Sequence, residues 1–345
     1  MKREISAIDL FCGVGGLTCG LKMAGIDVPV GYDIADECRY AYEKNNKGSR
    51  FISKDVSKVT AQELQQIWSK KQYRLLAGCA PCQPFSTYRQ SNGLQQDRRY
   101  FLLDEFARLV DESRPELVTM ENVPNLEKRE IFQEFVHKLR DIGYYTQHLI
   151  FECDQFGIPQ SRKRLVLLAS LLHDDLSICV DSKQRTVRQR IAKLPPIAAG
   201  QTDSRDSLHR APSLSEMNLR RIQASRPGGS WKDWPIDILC DCHKRSTGKG
   251  YTPVYGRMEW DKPSPTLTTQ CYNYGSGRFG HPEQDRAISL REAAMLQDFP
   301  RNYEFEPPNS TYPTTQIARM IGNAVPVGLG RIIGNSFNRH LALWK

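Results

Sequence analysis

The sequence of 345 residues lacks an apolar run long enough to cross a bilayer. Its longest run, residues 165–172, falls well short of the roughly 20 residues that a membrane-spanning helix needs. The first five residues carry charge of both signs and lead straight into a predicted strand, without the pattern of a secretory signal peptide. We therefore expect a soluble intracellular protein with no membrane partner.

The sequence also lacks an ordered cysteine framework. Its ten cysteines are irregularly spaced, in a chain long enough to bury a core without disulfides, which indicates free thiols in a reducing compartment. Cys79 and Cys82 form a C-x-x-C pair, a pattern typical of redox sites or of half a zinc site. However, Cys82 is not followed by a clean helix pattern, and the spacing in residues 240–243 is poor for a tetrahedral zinc finger. We predict neither role and no bound metal.

An even distribution of charge is missing as well. Residues 162–257 contain 18 Lys and Arg against 9 Asp and Glu, while the rest of the chain has 30 of each sign. A lobe that binds a polyphosphate would concentrate charge in this way, although a basic insertion without a partner is the plainer alternative. Residues 185–285 are rich in Arg, Ser, Pro and Gly, with weak periodicity and no tandem repeat. They predict a loop-rich lobe inserted into an α/β domain.

The beginning of the chain predicts a nucleotide-binding turn. An apolar strand over residues 6–11 leads into Gly13 and Gly15, and a helical pattern follows over residues 17–24. Glycines in such a turn let a ligand approach the backbone at the N-terminus of a helix. Thr18 occupies the last glycine position of G-x-G-x-x-G, which argues against a dinucleotide.

Acidic residues follow the next two predicted strands. Asp33 comes directly after residues 28–32 and lies twenty positions after Gly13, where a carboxylate holds ribose hydroxyls in folds of this kind. Asp55 comes shortly after the strand predicted at residues 50–52. A single acid is most often a surface group, but this shared position favours a pocket.

Cys82 and Glu121 each follow a short apolar run, at residues 74–78 and 117–120. Groups beyond the carboxyl ends of neighbouring strands converge on one crevice of an open α/β sheet. A thiolate that adds to C6 of cytosine, while a carboxylic acid protonates N3, makes C5 able to attack a methyl donor. The pair therefore favours a pyrimidine-modifying enzyme over the plainer reading of a buried small thiol and a solvated glutamate.

Basic side chains are predicted close to this pocket. The polar, glycine-containing residues 86–99 are typical of a mobile loop and would lie at its mouth. Arg162 and Arg164 precede the apolar run 165–169. Because alternate residues of an extended segment point the same way, we expect both guanidiniums to face one anionic or carbonyl-bearing ligand.

Six motifs occur in order and together resemble the DNA (cytosine-5) methyltransferase family, in its bacterial modification-methylase form. They are DLFCGVGG at 9–16, GCAPCQPFS at 78–86, ENV at 121–123, QSRKR at 160–164, REAAMLQ at 291–297 and GNAV at 322–325. The resemblance implies a Rossmann-like α/β domain with a smaller, loop-rich target-recognition domain inserted. We expect the catalytic domain at 1–184, the recognition domain at 185–285 and a return to the catalytic domain at 286–345.

The resemblance also implies S-adenosyl-L-methionine as the methyl donor. Phe11, Gly13 and Gly15 would then hold its methionine end. The resemblance further implies that Asp33 would bind the ribose and that Ile34 would pack against the adenine. Asp55 would contact the adenine amino group, and Asn323 would close the site. Two positions depart from the common pattern, because Asp33 stands where many members have Glu and Ala35 replaces a common acidic residue.

By the same resemblance, Cys82 would be the nucleophile and Glu121 would hold N3 and the exocyclic amine of a cytosine flipped out of duplex DNA. Arg162 and Arg164 would contact the base carbonyl and its surroundings. We expect a cytoplasmic, nucleoid-associated monomer, and a cognate restriction endonuclease would act separately. Two alternatives stay open at this point, a transfer-RNA cytosine methyltransferase and a catalytically silent DNA-binding member of the family.

Overall fold

The computed structural model describes residues 4–68, 73–81, 101–179, 183–245 and 252–344. The chain divides into two compact units. The first comprises Met1–Cys153, Lys163–Asp181 and Ala324–Lys345, and the second comprises Asp154–Arg162 and Ser182–Asn323. The predicted recognition domain, residues 185–285, lies inside the second unit, which continues to Asn323. Its role in recognition stays a prediction.

The first unit is built on a sheet of seven strands. In chain order these are Ile5–Leu10 (β1), Asp27–Asp33 (β2), Arg50–Ser53 (β3), Tyr73–Gly78 (β4), Leu117–Asn122 (β5), Tyr145–Glu152 (β6) and Lys163–Ser170 (β8). Their order in the sheet is β3-β2-β1-β4-β5-β8-β6. The first five are parallel, and β8 runs antiparallel to both β5 and β6. This arrangement confirms the predicted α/β, Rossmann-like fold.

The central strands are apolar because both faces of the sheet are covered. All six residues of β1 and all six of β5 are buried, as expected for parallel strands with helices on either side. In register, Leu10 pairs with Gly78 and Gly78 pairs with Met120. Leu10 and Gly78, which end β1 and β4, are therefore level with Met120 of β5, so that the residues following these three lie along one edge of the sheet.

Among the described residues of this unit, the α-helices are Gly16–Met23 (α1), Arg39–Asn45 (α2), Ala61–Trp68 (α3), Phe101–Ser113 (α4), Glu130–Asp141 (α5) and Val327–Leu343 (α11). The helices predicted at 17–24 and 101–112 are confirmed to within one residue. The last helix is much longer than the predicted 328–335. It packs closely on α1, where a Cβ on Gly20 would overlap the Val327 carbonyl and one on Gly330 would lie 2.7 Å from the Leu17 carbonyl.

The second unit has short elements. Gln160–Ser161 (β7) pairs with Ser264–Pro265 (β11), and Thr202–Asp203 (β9) pairs with Asp206–Arg210 (β10). The helices are Val187–Ile191 (α6), Glu216–Gln223 (α7), Asp241–Lys244 (α8), Leu290–Leu296 (α9) and Thr314–Asn323 (α10). Buried arginine supplies part of the order, because the Arg257 guanidinium donates to carbonyls of Ile222, Ser225 and His281. None of the helices described in either unit is both long and apolar enough to cross a membrane.

Candidate active site

The segment that leads into Cys82 is fixed at the level edge of the sheet. The backbone N–H of Cys79 donates to the Leu10 carbonyl at 3.3 Å, and the Asn122 side-chain amide donates to the Ala80 carbonyl at 3.1 Å. Residues 79–81 are thereby held beside the end of β5. Cys82 itself and the predicted loop 86–99 lie outside the described residues, so their roles stay predictions.

Glu121 is buried at this edge, with its side chain 3% exposed. The Cys79 thiol donates to its Oε2 at 2.7 Å, and Arg164 Nε lies 2.7 Å from its Oε1. Arg164 reaches Glu121 because β8 is the antiparallel neighbour of β5. Despite the close guanidinium, Oε1 has no donor aligned for a hydrogen bond among the described residues. The arrangement leaves one oxygen of a buried carboxylate able to accept a hydrogen bond from a ligand N–H.

Sequence reasoning missed the contact between Cys79 and Glu121. It treated Cys79 only as the first half of a C-x-x-C pair. The signal that could have revealed the contact is positional, since both residues come at matching levels of β4 and β5. Because Gly78 pairs with Met120, the residues that follow them lie side by side.

Arg162 and Arg164 have separate surroundings. Arg162 lies between β7 and β8, so the alternation of a single strand does not align it with Arg164. Arg162 belongs to the second unit, where its buried guanidinium donates to the Leu267 carbonyl at 2.9 Å and to the Gly322 carbonyl at 3.4 Å. Arg164 belongs to the first unit and pairs with Glu121. Their shared contact with one ligand stays a prediction.

The turn after β1 is strained and is held by an acid of β2. Phe11, Gly13 and Gly15 have φ values of 59°, 49° and 87°, and Gly15 directly precedes α1. The Asp33 carboxylate accepts from the Gly13 N–H at 2.8 Å and from the Ala35 N–H at 2.9 Å. Burial raises the pKa of Asp33, and these two hydrogen bonds oppose the shift.

This turn fits a nucleoside-containing cofactor. A Cβ built on Gly13 would meet no atom within 4 Å, so a ligand can approach its backbone. Ile34 presents a large apolar side chain that is 73% exposed, as a flat base needs. Each carboxylate oxygen of Asp33 has a second lone pair for a ribose hydroxyl. These residues would hold S-adenosylmethionine in the predicted way.

The other two predicted cofactor residues have different surroundings. Asp55 precedes a short turn of helix, and its Oδ1 accepts from the Ser57 N–H at 3.0 Å and the Ser57 hydroxyl at 2.9 Å. This hydrogen bond caps the helical turn and leaves the second carboxylate oxygen of Asp55 for a ligand. Asn323 is exposed at the end of α10 in the second unit. Their contacts with the cofactor stay predictions.

A buried polar group in β1 also went unnoticed in the sequence, because it sits within an apolar strand. Asp9 is 1% exposed, and its Oδ2 accepts from the Thr18 hydroxyl at 2.7 Å. The Tyr42 hydroxyl lies 3.1 Å from the same Thr18 oxygen. Burial raises the pKa of Asp9 to about 7, against the opposing effect of the Thr18 hydrogen bond. Asp9 therefore couples the strand before the glycine turn to the helix after it.

Comparison with known proteins gives consistent matches along the chain. The family described as C-5 cytosine-specific DNA methylase matches residues 5–339. The Type II methylase M.HgiDII of Herpetosiphon aurantiacus is 48% identical, covering 97% of this chain and 96% of its own. The Type II methyltransferase M.Eco47II of Escherichia coli is 30% identical, covering 96% of this chain and 78% of its own.

Two solved structures show the same fold. One is a protein encoded within an Escherichia coli prophage, with a TM-score of 0.73 and 21% identity over 98% of this chain and 100% of that one. The other is Spodoptera frugiperda DNMT2, with a TM-score of 0.64 and 18% identity over 97% of this chain and 100% of that one. At these identities the likeness supports the α/β fold alone.

Proposed function

The chain belongs to the C-5 cytosine-specific DNA methylase family, and from that premise we propose that it methylates a flipped-out cytosine in a specific duplex through a covalent Cys82–C6 bond. It is a DNA (cytosine-5) methyltransferase of the Type II restriction-modification kind, and S-adenosylmethionine is its methyl donor. Its own residues would form the covalent bond, move a proton at N3 and hold the base in place.

The observation that carries the proposal is the environment of Glu121. Its carboxyl is buried between the Cys79 thiol and the Arg164 guanidinium, and Oε1 lacks an aligned donor in the described part of the chain. A buried carboxyl of this kind can give a proton to N3 of cytosine and accept a hydrogen bond from its exocyclic amine. The adjacent Asn122 holds the Ala80 carbonyl, two residues before Cys82, at the same edge.

The proposed cycle begins when the Cys82 thiolate forms a bond to C6 and Glu121 donates its proton to N3. C5 then has enamine character and can attack an electrophilic carbon. S-adenosylmethionine, when bound, would supply that carbon as the methyl group of its sulfonium and would leave as the neutral thioether. A base removes the proton from C5, the C6–S bond breaks, and the N3 proton returns to Glu121. The thiolate and the carboxyl are thus regenerated.

Because Glu121 is buried, the target cytosine has to leave the DNA double helix to reach it. A cytosine stacked in duplex DNA cannot reach a carboxyl that is buried at the edge of the sheet, so the nucleotide must be extruded. Unstacking costs a few kcal/mol, which contacts to the DNA backbone and groove have to offset. We assign those contacts to the basic residues 185–285, which would read base edges and hold phosphates.

Duplex DNA is accordingly the proposed partner, bound by a monomer in the cytoplasm close to the nucleoid. The Type II names of the relatives support a role in modification, with a cognate endonuclease acting as a separate protein. The intact Cys82, Glu121 and Arg162 argue against a silent DNA-binding member of the family.

A covalent trap tests the proposal. Fluorine at C5 cannot leave as a cation, so duplex DNA with 5-fluorocytosine at the target should accumulate a methylated adduct that survives denaturing electrophoresis. The target is first located by sequencing methylated DNA from a host that expresses the chain. Adduct formation should require S-adenosylmethionine and disappear in Cys82→Ser, since a hydroxyl is far less ionised than a thiol.

Cys79→Ser is the matched control, because serine can still donate to Glu121 and should leave the adduct intact. An adduct that persists in Cys82→Ser but is lost in Cys79→Ser would overturn the assignment. Transfer RNA offered beside duplex DNA, with labelled methyl groups counted on each, addresses the RNA alternative. Methyl transfer to RNA alone would replace the DNA proposal.

A further inference from the structure

Three side chains with metal-binding chemistry meet in the second unit. One ligand atom from each of Cys240, Cys242 and His243 lies within 4.8 Å of the other two. The short helix α8, Asp241–Lys244, starts directly after Cys240, and the backbone N–H of His243 donates to the Cys240 carbonyl at 2.9 Å. This tight turn brings the donors together although their C-x-C-H spacing does not match a zinc finger.

The imidazole of His243 is held rigidly, as a metal ligand needs to be. It stacks on Trp231 with 4.1 Å between ring centroids and 14° between planes, and it meets Tyr255 edge-on at 5.9 Å. The residue is 6% exposed, and its Nδ1 is buried without a hydrogen-bond partner among the described residues. A buried nitrogen without a partner is unfavourable, and a bound cation would remove that penalty.

We propose that Cys240, Cys242 and His243 bind one zinc ion. Two thiolates and an imidazole suit Zn²⁺ and its close relatives, whereas Mg²⁺ and Ca²⁺ prefer oxygen ligands. Each thiol loses its proton on binding, so two protons are released for each ion when the thiols and a neutral imidazole start uncoordinated. Cys242 is exposed, so that water can fill the fourth tetrahedral position.

The ion would have a structural role in the lobe assigned to recognition. Cys240 and Tyr255 pack against a small core that includes Trp231, Trp234 and Tyr274. The elements around this core are short, so that few backbone hydrogen bonds secure it. A metal that joins residues 240–243 would contribute binding free energy directly to folding of the lobe. Methyl transfer itself needs no metal, so this inference is independent of the proposed function.

Cobalt titration of the full-length protein tests the site. The protein is stripped with a chelator, kept under reductant, and titrated with Co²⁺ while thiolate-to-cobalt charge-transfer absorption is recorded. We expect saturation at one equivalent, displacement of the spectrum by Zn²⁺, and release of two protons per ion. Zn²⁺ should also raise the melting temperature.

Cys242→Ser removes a ligand at an exposed position and should fold normally. We expect it to weaken zinc affinity by more than about 100-fold, beyond the loss typical of residues that only orient a ligand. Cys179→Ser, at a partly exposed cysteine of the first unit, is the matched control and should bind normally. A wild-type protein that gives no cobalt charge-transfer absorption would overturn the proposal, as would a cobalt spectrum retained in Cys242→Ser and lost in Cys179→Ser.

Discussion

The Cys79 thiol donates a hydrogen bond of 2.7 Å to Glu121, so the first cysteine of the C-x-x-C pair is a partner of the predicted proton carrier. The contact arises from strand register, because Gly78 and Met120 pair immediately before the two residues. Cys79 therefore has a positioning role that is distinct from nucleophilic attack. This role makes the two cysteines of the pair separable by experiment.

Replacement of Cys79 by alanine should lower kcat while S-adenosylmethionine affinity stays unchanged. A hydrogen bond to a charged group contributes about 1.5–3 kcal/mol, which corresponds to a loss of about 10-fold or more. Cys79→Ser restores a donor and should recover most of the rate. Steady-state methylation kinetics of both variants test this prediction, and cofactor binding is measured separately. Equal rates for alanine and serine would contradict a donor role.

Asp33→Ala should weaken the binding of S-adenosylmethionine. The change removes the proposed ribose acceptor and also releases the Gly13 N–H, which Asp33 holds at 2.8 Å. The loss of a hydrogen bond to a charged acceptor predicts a cost of about 1.5–3 kcal/mol in calorimetry. Asp36→Ala, which removes an exposed acid paired with Arg39, is the control. DNA affinity without the cofactor should barely change, and unaltered cofactor binding would refute the assignment.

The sequence could predict the elements that depend on local pattern. Strands β1, β4 and β5 are short apolar runs closed by polar residues, and glycine marks the turn before α1. The predicted range 328–335 includes Gly330 and Gly334 but ends well before Leu343, so α11 was underestimated at its carboxyl end. Glycines are poor helix formers, and their presence in this helix has a tertiary reason, since a Cβ on Gly334 would lie 2.6 Å from Ala24 Cβ. Such close helix packing cannot be read from local periodicity.

The site was predictable in its residue types but not in its pairings. Arg164 pairs with Glu121 because β8 lies next to β5. To predict that pair, one would need the strand order of the whole sheet. The three-residue cluster at Cys240 was dismissed because spacing was compared with zinc fingers, whereas a single helical turn assembles it. Asp9 was included in the strand predicted at 6–11, but its hydrogen bond with Thr18 depends on how α1 lies against β1.

Asp9 should make the protein less stable as the pH rises toward neutrality. Burial raises its pKa to about 7 in the folded state, while an unfolded Asp titrates near 3.9. Between these values the folded chain retains a proton that the unfolded chain has lost. The free energy of unfolding therefore falls with rising pH, by at most about 1.4 kcal/mol per pH unit from this group.

Denaturant unfolding at about pH 5 and about pH 7 should reveal this effect. Asp9→Asn cannot ionise, so its stability should depend less on pH than that of the wild-type protein. Asp36→Asn, at an exposed acid, should keep the wild-type dependence. Identical pH slopes for wild type and Asp9→Asn would show that the carboxyl is already ionised in the folded state.

The recognition lobe should transfer target specificity when it is exchanged. If residues 185–285 read the DNA, a chimera that receives this segment from a family member of different specificity should methylate the donor's sequence. Because the second compact unit continues to Asn323, a second chimera that exchanges 182–323 provides the matched comparison. Equal transfer by both chimeras would confine recognition to 185–285, whereas transfer by the longer exchange alone would extend the domain into the region of α9 and α10.

Salt dependence supplies an independent measure of the same lobe. Each phosphate contact neutralised by Lys or Arg should contribute about 0.9 to the slope of log affinity against log salt. Many basic residues here already have acidic partners, such as Arg188 with Asp261 and Arg220 with Asp237. We therefore expect a slope smaller than the 16 basic residues of 185–285 would give. Affinity that does not vary with salt, or a chimera that keeps its parent's target, would refute the assignment of this lobe to DNA.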